Sequence, residues 1–423
     1  MASFFTKLKL VVSDPGLRKR LLFLLGALMA FRFLAAIPLP GVNTAALEQF
    51  FSNNQFFGLL NILSGGGLSN LSIVMLAVGP YITASIIMQV LTIMIPSLKA
   101  LYHEEGEAGR KRFSQYTRLL TVPLALVQGF AFLLVLQNEG ILEPLSYFGL
   151  FVNTLVATAG SILLMWVGEL ISEFGIGNGV SLIIFAGIVA QLPTIASQLV
   201  FSFDPSQIPL YVGLLIIAVI ITSGVVVVTE AERPIPVTYA KRVRGSKVYG
   251  GISTYLPLRV NQAGVIPIIF ALSILLLPQM IFSLLARLNN DIISAVSNAV
   301  LSALQNNIFY AVLYFVLVFF FTYFYTAVTF DPEAIATNLQ KSGAFVPGVR
   351  PGPSTSEYLG KVITRITFVG ALFLGFIAVL PIIVRNITGI TALAIGGTAL
   401  LIAVSVVLDL VRKIDAQISM REY

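Results

Sequence analysis

The chain has 423 residues, of which 57% are hydrophobic and only 11% are charged, and its mean hydropathy is +0.93. A soluble protein needs many more charged groups to cover its surface, so this composition excludes the soluble globular class and indicates that lipid is the solvent. Cysteine is absent and there is one histidine, which excludes disulfide bonds, thiolate metal sites and zinc sites built from several histidines. We therefore expect no metal and no cofactor.

Ten long apolar segments follow one another along the chain, and each approaches or exceeds the length that a helix needs to cross a bilayer. They are continuously apolar rather than alternating, which favours helices over a β-barrel. The ten segments are Leu21–Ile37, Leu71–Ile95, Leu119–Leu136, Phe151–Ile171, Val180–Val200, Tyr211–Val228, Val265–Leu285, Ile308–Val328, Ile363–Val384 and Ile390–Val411.

The basic residues lie almost entirely on one side of these segments. Of the 26 Lys and Arg residues, 23 fall on the side reached after an even number of crossings, and only Arg287 and Arg385 fall on the other. The positive-inside rule therefore places both termini in the cytoplasm. This predicts a multi-pass protein of the inner or plasma membrane of the cell.

Ten spans divide into two sets of five, and an odd number of spans in each half makes any internal repeat an inverted one. The predicted halves cover residues 21–200 and 201–411. A cytoplasmic N-terminal segment of residues 1–20 and a cytoplasmic tail of residues 412–423 flank them.

Two local sequences interrupt the pattern of apolar spans. Phe56–Leu63 is apolar but too short to span, and it precedes Ser64 and three glycines. This pattern predicts a short helix on a glycine hinge, which either folds back into the bundle or lies on the outer leaflet. Gly79 and Pro80 fall inside the second segment, where we expect an ordinary proline kink.

Ionisable residues are scarce within the spans, whereas neutral polar residues are present. The neutral polar residues are Thr83, Ser85, Gln89, Gln128, Asn261 and Gln262. Such residues form hydrogen bonds between helices, and that structural role is the simplest interpretation. An inverted-repeat secondary solute transporter is an alternative, but it normally needs charge at the midplane. No Ser-His or paired-carboxylate arrangement appears at membrane depth, which argues against an intramembrane enzyme.

Two cytoplasmic loops, residues 230–260 and 331–361, are longer than topology requires and carry nine basic residues between them. Clustered Lys and Arg bind phosphate and steer association, so these loops are candidate docking sites for ribosomal RNA or an acidic protein surface. Their positive charge could also serve topology alone.

Six stretches spread over most of the chain resemble the SecY/Sec61-alpha family. The matching stretches are GPYITASIIMQVLT (79–92), GEAGRKRFSQYTR (106–118), GIGNGVSLIIFAGIVA (175–190), YAKRVRGSKVYGG (239–251), STYLPLRVNQAGVIPIIFA (253–271) and KSGAFVPGVRPG (341–352). The resemblance implies an all-α polytopic membrane protein, with ten transmembrane helices in two inverted five-helix halves around a central hourglass pore. It further implies the central channel of the Sec translocon, which passes unfolded secretory polypeptides and releases transmembrane segments into lipid.

The resemblance implies two elements that close the pore. A plug lies within residues 56–70 and includes Phe57, Leu60, Ile62, Gly65, Gly66 and Gly67. An aliphatic pore ring consists of Val78, Ile82, Ile184, Ile269 and Ile402. Family members often have Ile at the first ring position, so Val78 predicts a slightly looser seal.

The resemblance also implies a lateral gate and a docking surface. The gate lies between spans two and three on one side and spans seven and eight on the other, and Thr83, Gln89, Gln128 and Asn261 are its expected polar residues. Docking is expected at Lys241, Arg242, Lys247 and Arg350. The implied partners are the SecE and SecG subunits, the SecA ATPase, the ribosome, signal sequences, nascent polypeptides and membrane lipids.

Overall fold

The computed structural model describes most of the chain as helices joined by short turns. The described residues are 13–40, 61, 64, 66–68, 70–138, 140–142, 145–201, 208–239, 242–244, 247–249, 253–286, 290–388 and 396–419. The helices within them are α1 (Pro15–Ala35), α2 (Gly79–Met94), α3 (Pro96–His103), α4 (Gly106–Asn138), α5 (Tyr147–Phe174), α6 (Gly179–Phe201), α7 (Ile208–Glu230), α8 (Ile266–Leu285), α9 (Asp291–Gln305), α10 (Asn307–Thr329), α11 (Pro332–Lys341), α12 (Pro353–Thr388) and α13 (Gly396–Ser419).

Each of the ten predicted apolar segments coincides with one helix, in the order α1, α2, α4, α5, α6, α7, α8, α10, α12 and α13. By length and composition alone, six helices in the described part of the chain are able to cross a membrane, and the bent pair α2–α3 makes a seventh. Charged residues lower the apolar character of α1 and α13, since α1 carries Arg18 to Arg20 in its first turns and α13 carries Arg412 and Lys413. The predicted all-α class is confirmed, with a small β-sheet added to it.

The start of the second span was predicted wrongly. Its helix begins at Gly79 rather than Leu71, and residues 70–78 form consecutive turns instead. Pro80 occupies the first turn of α2, where the missing backbone N–H is not needed, so the expected proline kink is absent at this position. The chain bends by 115° between α2 and α3, because Ile95 precedes Pro96 and is held extended.

Both ends of the membrane domain are more helical than predicted. Helix α1 begins at Pro15, where the carboxylate of Asp14 accepts a hydrogen bond of 2.9 Å from the Gly16 N–H and caps the helix. Helix α13 continues to Ser419, so most of the predicted tail extends the last span. Leu17, Ile176 and Ile418 form one buried cluster on this side. The start of α1 and the end of α13 therefore pack together.

The long basic loops form one small domain, which the sequence analysis did not predict. Strands β1 (Glu232–Tyr239) and β4 (Ser253–Arg259) pair antiparallel, and β5 (Ala344–Phe345) from the second loop joins the other edge of β1. A two-stranded hairpin, β2 (Arg242–Arg244) and β3 (Lys247–Tyr249), lies between β1 and β4 in sequence. Beneath the sheet a separate apolar core includes Ile235, Leu258, Phe330, Val346, Leu359, Val362, Ile363 and Ile366. We call this unit the cytoplasmic platform, after the side of the membrane on which the sequence predicts it.

The two halves repeat the same helix contacts. In the first half α2 packs on α4, α4 on α5, α5 on α6 and α1 on α6; in the second half α8 packs on α10, α10 on α12, α12 on α13 and α7 on α13. Each contact in the second half joins the two spans that lie five positions after those of its counterpart in the first half. This is expected for two inverted repeats. The halves meet along two seams, where α8 contacts α2 and α4 and where α13 contacts α6. The main apolar core extends through both halves and includes residues of both seams, such as Ile82, Ile269 and Ile402.

Candidate transmembrane pore

A cavity of about 500 Å³ lies on the predicted cytoplasmic side of the α2–α8 seam. Helices from both halves line it, and the first half contributes polar and charged side chains, including Gln89, Arg118 and Glu169. Its wall toward the membrane centre contains Ile82 of α2 and Ile269 of α8. We call this cavity the inner vestibule.

An ion pair joins two helices in the wall of the inner vestibule. The Arg118 Nε atom lies 2.6 Å from Glu169 Oε1, linking the cytoplasmic parts of α4 and α5. Glu173, one turn further along α5, lines the same cavity. The sequence analysis did not predict this pair. Opposite charges at the inner ends of consecutive spans were the signal that would have predicted it.

A second cytoplasmic cavity of about 240 Å³ adjoins the inner vestibule and shares Asn178, Ser181, Ile266 and Tyr325 with it. Its mouth carries two charged pairs. Arg412 Nη2 lies 2.6 Å from Glu230 Oε1, and Lys413 Nζ lies 2.7 Å from Asp409 Oδ2. The entrance on the predicted cytoplasmic side is therefore polar, with its charges largely neutralised in pairs.

A smaller cavity of about 50 Å³ lies on the opposite side of Ile82. Its walls come from the turns that precede α2 and from α4 and α8. Most of its lining is apolar, and Ser64, Gln128 and Ser273 are the exceptions. We call it the outer cavity.

The two cavities on the seam approach each other at one level of the molecule. Ile82 lines both the inner vestibule and the outer cavity. On α8, Ile269 faces the inner vestibule whereas Ser273, one turn further out, lines the outer cavity. Val78 lines the outer cavity. Helices α2 and α8 thus separate the two cavities with a thin apolar layer.

The structure brings three of the five predicted ring residues to this layer. Val78, Ile82 and Ile269 are buried there. Ile184 of α6 and Ile402 of α13 are buried in the same apolar core but line none of the three cavities.

Much of the predicted plug lies outside the described residues, namely Phe57, Leu60, Ile62 and Gly65. Gly66 is described and has a φ of 80°, which glycine adopts without strain. A Cβ atom at Gly67 would lie 3.1 Å from the Ser64 carbonyl oxygen, so the turn is tightly packed. The Asn61 carbonyl accepts a hydrogen bond of 3.2 Å from Gln191 Nε2 of α6. This end of the plug region is therefore tied to the first half.

The predicted gate residues do not bond to each other across the seam. Gln128 Nε2 of α4 lies 3.5 Å from Thr83 Oγ1 of α2, and Gln89 Nε2 lies 3.1 Å from Ser85 Oγ on its own helix. Among the described residues, the hydrogen bonds of these three predicted gate residues stay within the first half. Asn261 lines the second cytoplasmic cavity, with its side-chain oxygen buried and without a hydrogen bond.

The predicted docking residues lie on or near the cytoplasmic platform. Lys241 falls outside the described residues. Arg242 and Lys247 belong to the β2–β3 hairpin, where Arg242 is paired with Tyr249 and Lys247 with Arg244. Arg350 is exposed in the turn after β5, and its carbonyl accepts a 2.8 Å hydrogen bond from Thr355 Oγ1. The sheet that joins β1 to β5 brings the two basic loops together.

Comparison with known proteins identifies relatives along the whole chain. The SecY family model matches residues 72–411. The protein translocase subunit SecY of Thermus thermophilus is 43% identical over 421 residues, which cover 97% of this chain and 94% of that protein.

Two solved structures share the fold. A SecY protein, whose plug domain stabilises the closed state of the translocation channel and maintains a membrane seal, superposes with a TM-score of 0.63 at 20% identity, covering 96% of this chain and 93% of that one. Sec61 in the canine ribosome–channel complex from the endoplasmic reticulum superposes with a TM-score of 0.61 at 18% identity, with the same two coverages.

Proposed function

Because this chain belongs to the SecY family, we propose that it is the channel subunit of a protein translocase, through which unfolded polypeptides cross the membrane. The observation that carries the proposal is the apolar layer at Ile82, which separates a polar inner vestibule from an outer cavity. An apolar constriction excludes water and ions when it is idle. Aliphatic side chains can still move aside for a polypeptide of any sequence, which a polar filter would not allow.

The ring and the plug together close this channel in our proposal. Val78, Ile82, Ile184, Ile269 and Ile402 form the ring, of which the first, second and fourth border the cavities. The plug, within residues 56–70, covers the ring from the outer side. The solved SecY structure whose plug maintains a membrane seal supports this assignment.

The seam of α8 with α2 and α4 is the proposed lateral gate. It is the seam that borders both the inner vestibule and the outer cavity, so a segment inside the pore would reach lipid there first. Thr83, Gln89 and Gln128 lie on its first-half side. Asn261 lies near the inner end of α8, where it contributes to the cytoplasmic entrance.

The cytoplasmic platform is the proposed docking site for the partner that supplies energy, which is the SecA ATPase or the translating ribosome. Its exposed Arg350 and the basic β2–β3 hairpin provide positive charge for an acidic protein or for RNA phosphates. The canine ribosome–channel complex supports the second partner. We further propose SecE and SecG as companion subunits in the cell membrane, with both termini of this chain in the cytoplasm.

The solute-transporter alternative receives no support from the site. Such carriers bind substrate near the midplane with charged or polar groups. The described ion pairs at the cavities, Arg118–Glu169, Arg412–Glu230 and Lys413–Asp409, lie at the cytoplasmic entrance, whereas the layer at Ile82 is apolar.

Site-specific photocrosslinking tests the proposed function with controls on the same helices. A photoreactive amino acid is placed at Ile82 or Ile269, which are 7% and 5% exposed, and a secretory chain is arrested during export. The controls carry it at Ile93 of α2 and Ile281 of α8, which are 61% and 50% exposed and face away from the core. We expect crosslinks from the two core positions and few from the controls. Equal crosslinking at all four positions, or none at the core positions, would contradict the proposal.

A further inference from the structure

Residues 71–78 form an irregular stretch of backbone at membrane depth, and we call it the ring-bearing segment because it ends at Val78. Two of its non-glycine residues have left-handed backbone conformations, with φ of 40° at Leu71 and 46° at Ala77. Such conformations persist only where surrounding contacts hold them. The structure identifies these contacts on two sides of the segment.

On one side, Gly160 of α5 lies directly against the segment. A Cβ atom at Gly160 would clash with the Ile73 carbonyl oxygen, and it would lie 2.9 Å from the Ile73 carbonyl carbon and 3.2 Å from Val74 Cγ1. The nearest obstacle is backbone and not a flexible side chain. Only glycine therefore permits this approach of helix and segment.

The next residue of α5 adds a hydrogen bond. Ser161 is completely buried, and its hydroxyl donates to the Ala77 carbonyl oxygen at 2.8 Å. This bond is made to the residue that has a left-handed conformation and that directly precedes Val78. Gly160 and Ser161 thus fix the two ends of residues 73–77.

On the other side, the residues after α1 hold the start of the segment. The Leu39 N–H donates to the Leu71 carbonyl at 2.8 Å, and the Ile73 N–H donates to the Ile37 carbonyl at 3.0 Å. The segment is therefore enclosed between α5 and the end of the first span, both of which belong to the first half. Neither contact involves the α8 side of the seam.

We propose that Gly160 and Ser161 are positioning residues that hold Val78 at the apolar layer. The inference rests on the proposed channel function, because it assigns to these two residues the task of setting the height of one ring side chain. Neither residue lines the three cavities described above, so both act through the segment.

The experiment uses the accessibility of Val78 as its readout. Because the chain contains no cysteine, a Val78→Cys variant has a single thiol, which a membrane-impermeant maleimide can label from the outer side of full-length protein in lipid vesicles. This background is combined with Gly160→Ala or with Ser161→Ala. The matched controls on α5 are Gly149→Ala, whose new Cβ would make only ordinary contacts, and Thr158→Val, which removes a buried hydroxyl bonded within its own helix.

We expect roughly a tenfold faster labelling in either Gly160→Ala or Ser161→Ala, since a clash with the Ile73 backbone or the loss of one buried hydrogen bond shifts a local equilibrium by about that factor. The resting chloride permeability of the vesicles should rise in the same variants. The controls should label at the rate of the Val78→Cys background. If neither variant exceeds the controls, the positioning role is wrong.

Transport of an export substrate by the wild-type vesicles separates this inference from the function on which it rests. Wild-type transport together with unchanged labelling in both variants would overturn the positioning role alone. Failure of the wild-type protein to transport, under conditions where a known translocase succeeds, would overturn the proposed function as well. Ser161→Ala keeps the inference testable if Gly160→Ala does not fold, since it removes atoms and adds none.

Discussion

The Gln128 side chain of α4 donates a hydrogen bond to the Thr83 hydroxyl of α2, with 3.5 Å between Nε2 and Oγ1. Thr83 in turn donates to the Gly79 carbonyl at 3.1 Å, at the start of α2. Both side chains are buried. Two of the polar residues predicted at the lateral gate therefore join α2 to α4 within the first half, next to the seam.

A double-mutant cycle tests this bracing role. Thr83→Val removes the hydroxyl without changing the shape of the side chain and leaves the Gln128 amide buried without this partner. We expect this to cost about 1–2 kcal/mol of stability, and to lower the midpoint of thermal unfolding in detergent. Gln128→Leu in addition should recover part of the loss, because neither buried polar group then remains.

The same double-mutant cycle distinguishes a bond that stabilises the first half from a bond that holds the lateral gate closed. If the pair stabilised the closed gate, the double variant would accept defective signal sequences more readily than the wild type does. We expect its selectivity to be unchanged. Relaxed selectivity with normal thermal stability would show that the bond acts across the seam.

Much of the architecture follows from the sequence because membrane helices obey strong physical limits. Continuous apolar runs have no alternative to helix in lipid, and the basic loops set their direction. The turns at residues 70–78 could not be predicted in the same way, since Leu71 to Val78 are as apolar as a helix. Their fold depends on Gly160 and Ser161, which are distant in sequence. Local pattern carries no information about that contact.

The cytoplasmic platform is a second feature that the sequence could not predict. Its strands are short, contain Pro234, Pro236 and Pro257, and alternate weakly in polarity. The pairing of Thr238 with Phe345 joins residues more than a hundred positions apart. Such pairing is set by tertiary packing and not by propensity. The ring residues were assigned from family resemblance, and the structure places three of them at the cavities.

A polar side chain in the apolar layer should open it to ions. Ile82→Ser replaces a buried aliphatic group that borders both cavities with a hydroxyl, so water can occupy the gap between them. We expect at least about a tenfold rise in resting ion conductance of planar bilayers, since wetting an apolar constriction removes its main barrier. Transport of an export substrate should be retained.

The control for this substitution is Ile93→Ser on the same helix, where the side chain is exposed on the outside of the bundle. It introduces the same group without touching the cavities and should leave the conductance unchanged. An Ile82→Ser channel whose resting ion conductance equals that of the wild type would contradict the assignment of Ile82 to the seal.

Arg350 should contribute to docking through its charge. It is exposed at the tip of the cytoplasmic platform, and Arg350→Ala should weaken ribosome binding to vesicles. The slope of the logarithm of affinity against the logarithm of salt concentration should decrease in magnitude by about one, because one phosphate contact is lost. Arg365→Ala removes an exposed arginine of α12 that lies nearer to the membrane, and it serves as the control. An equal loss in both variants would indicate a nonspecific charge effect.

The shared core of the cytoplasmic platform should couple its two loops. Leu359 of α12 is fully buried between strands of the first loop and residues of the second, and Leu359→Ala removes three carbon atoms from that core. We expect a local destabilisation of about 3 kcal/mol, because the cavity is enclosed on all sides. Limited proteolysis from the cytoplasmic side should then cleave both loops faster, whereas the membrane helices stay protected. Tyr255→Ala, an exposed position on β4, should leave the cleavage rates unchanged. Faster cleavage of only one loop in Leu359→Ala would show that the loops fold separately, and the single docking surface would then be wrong.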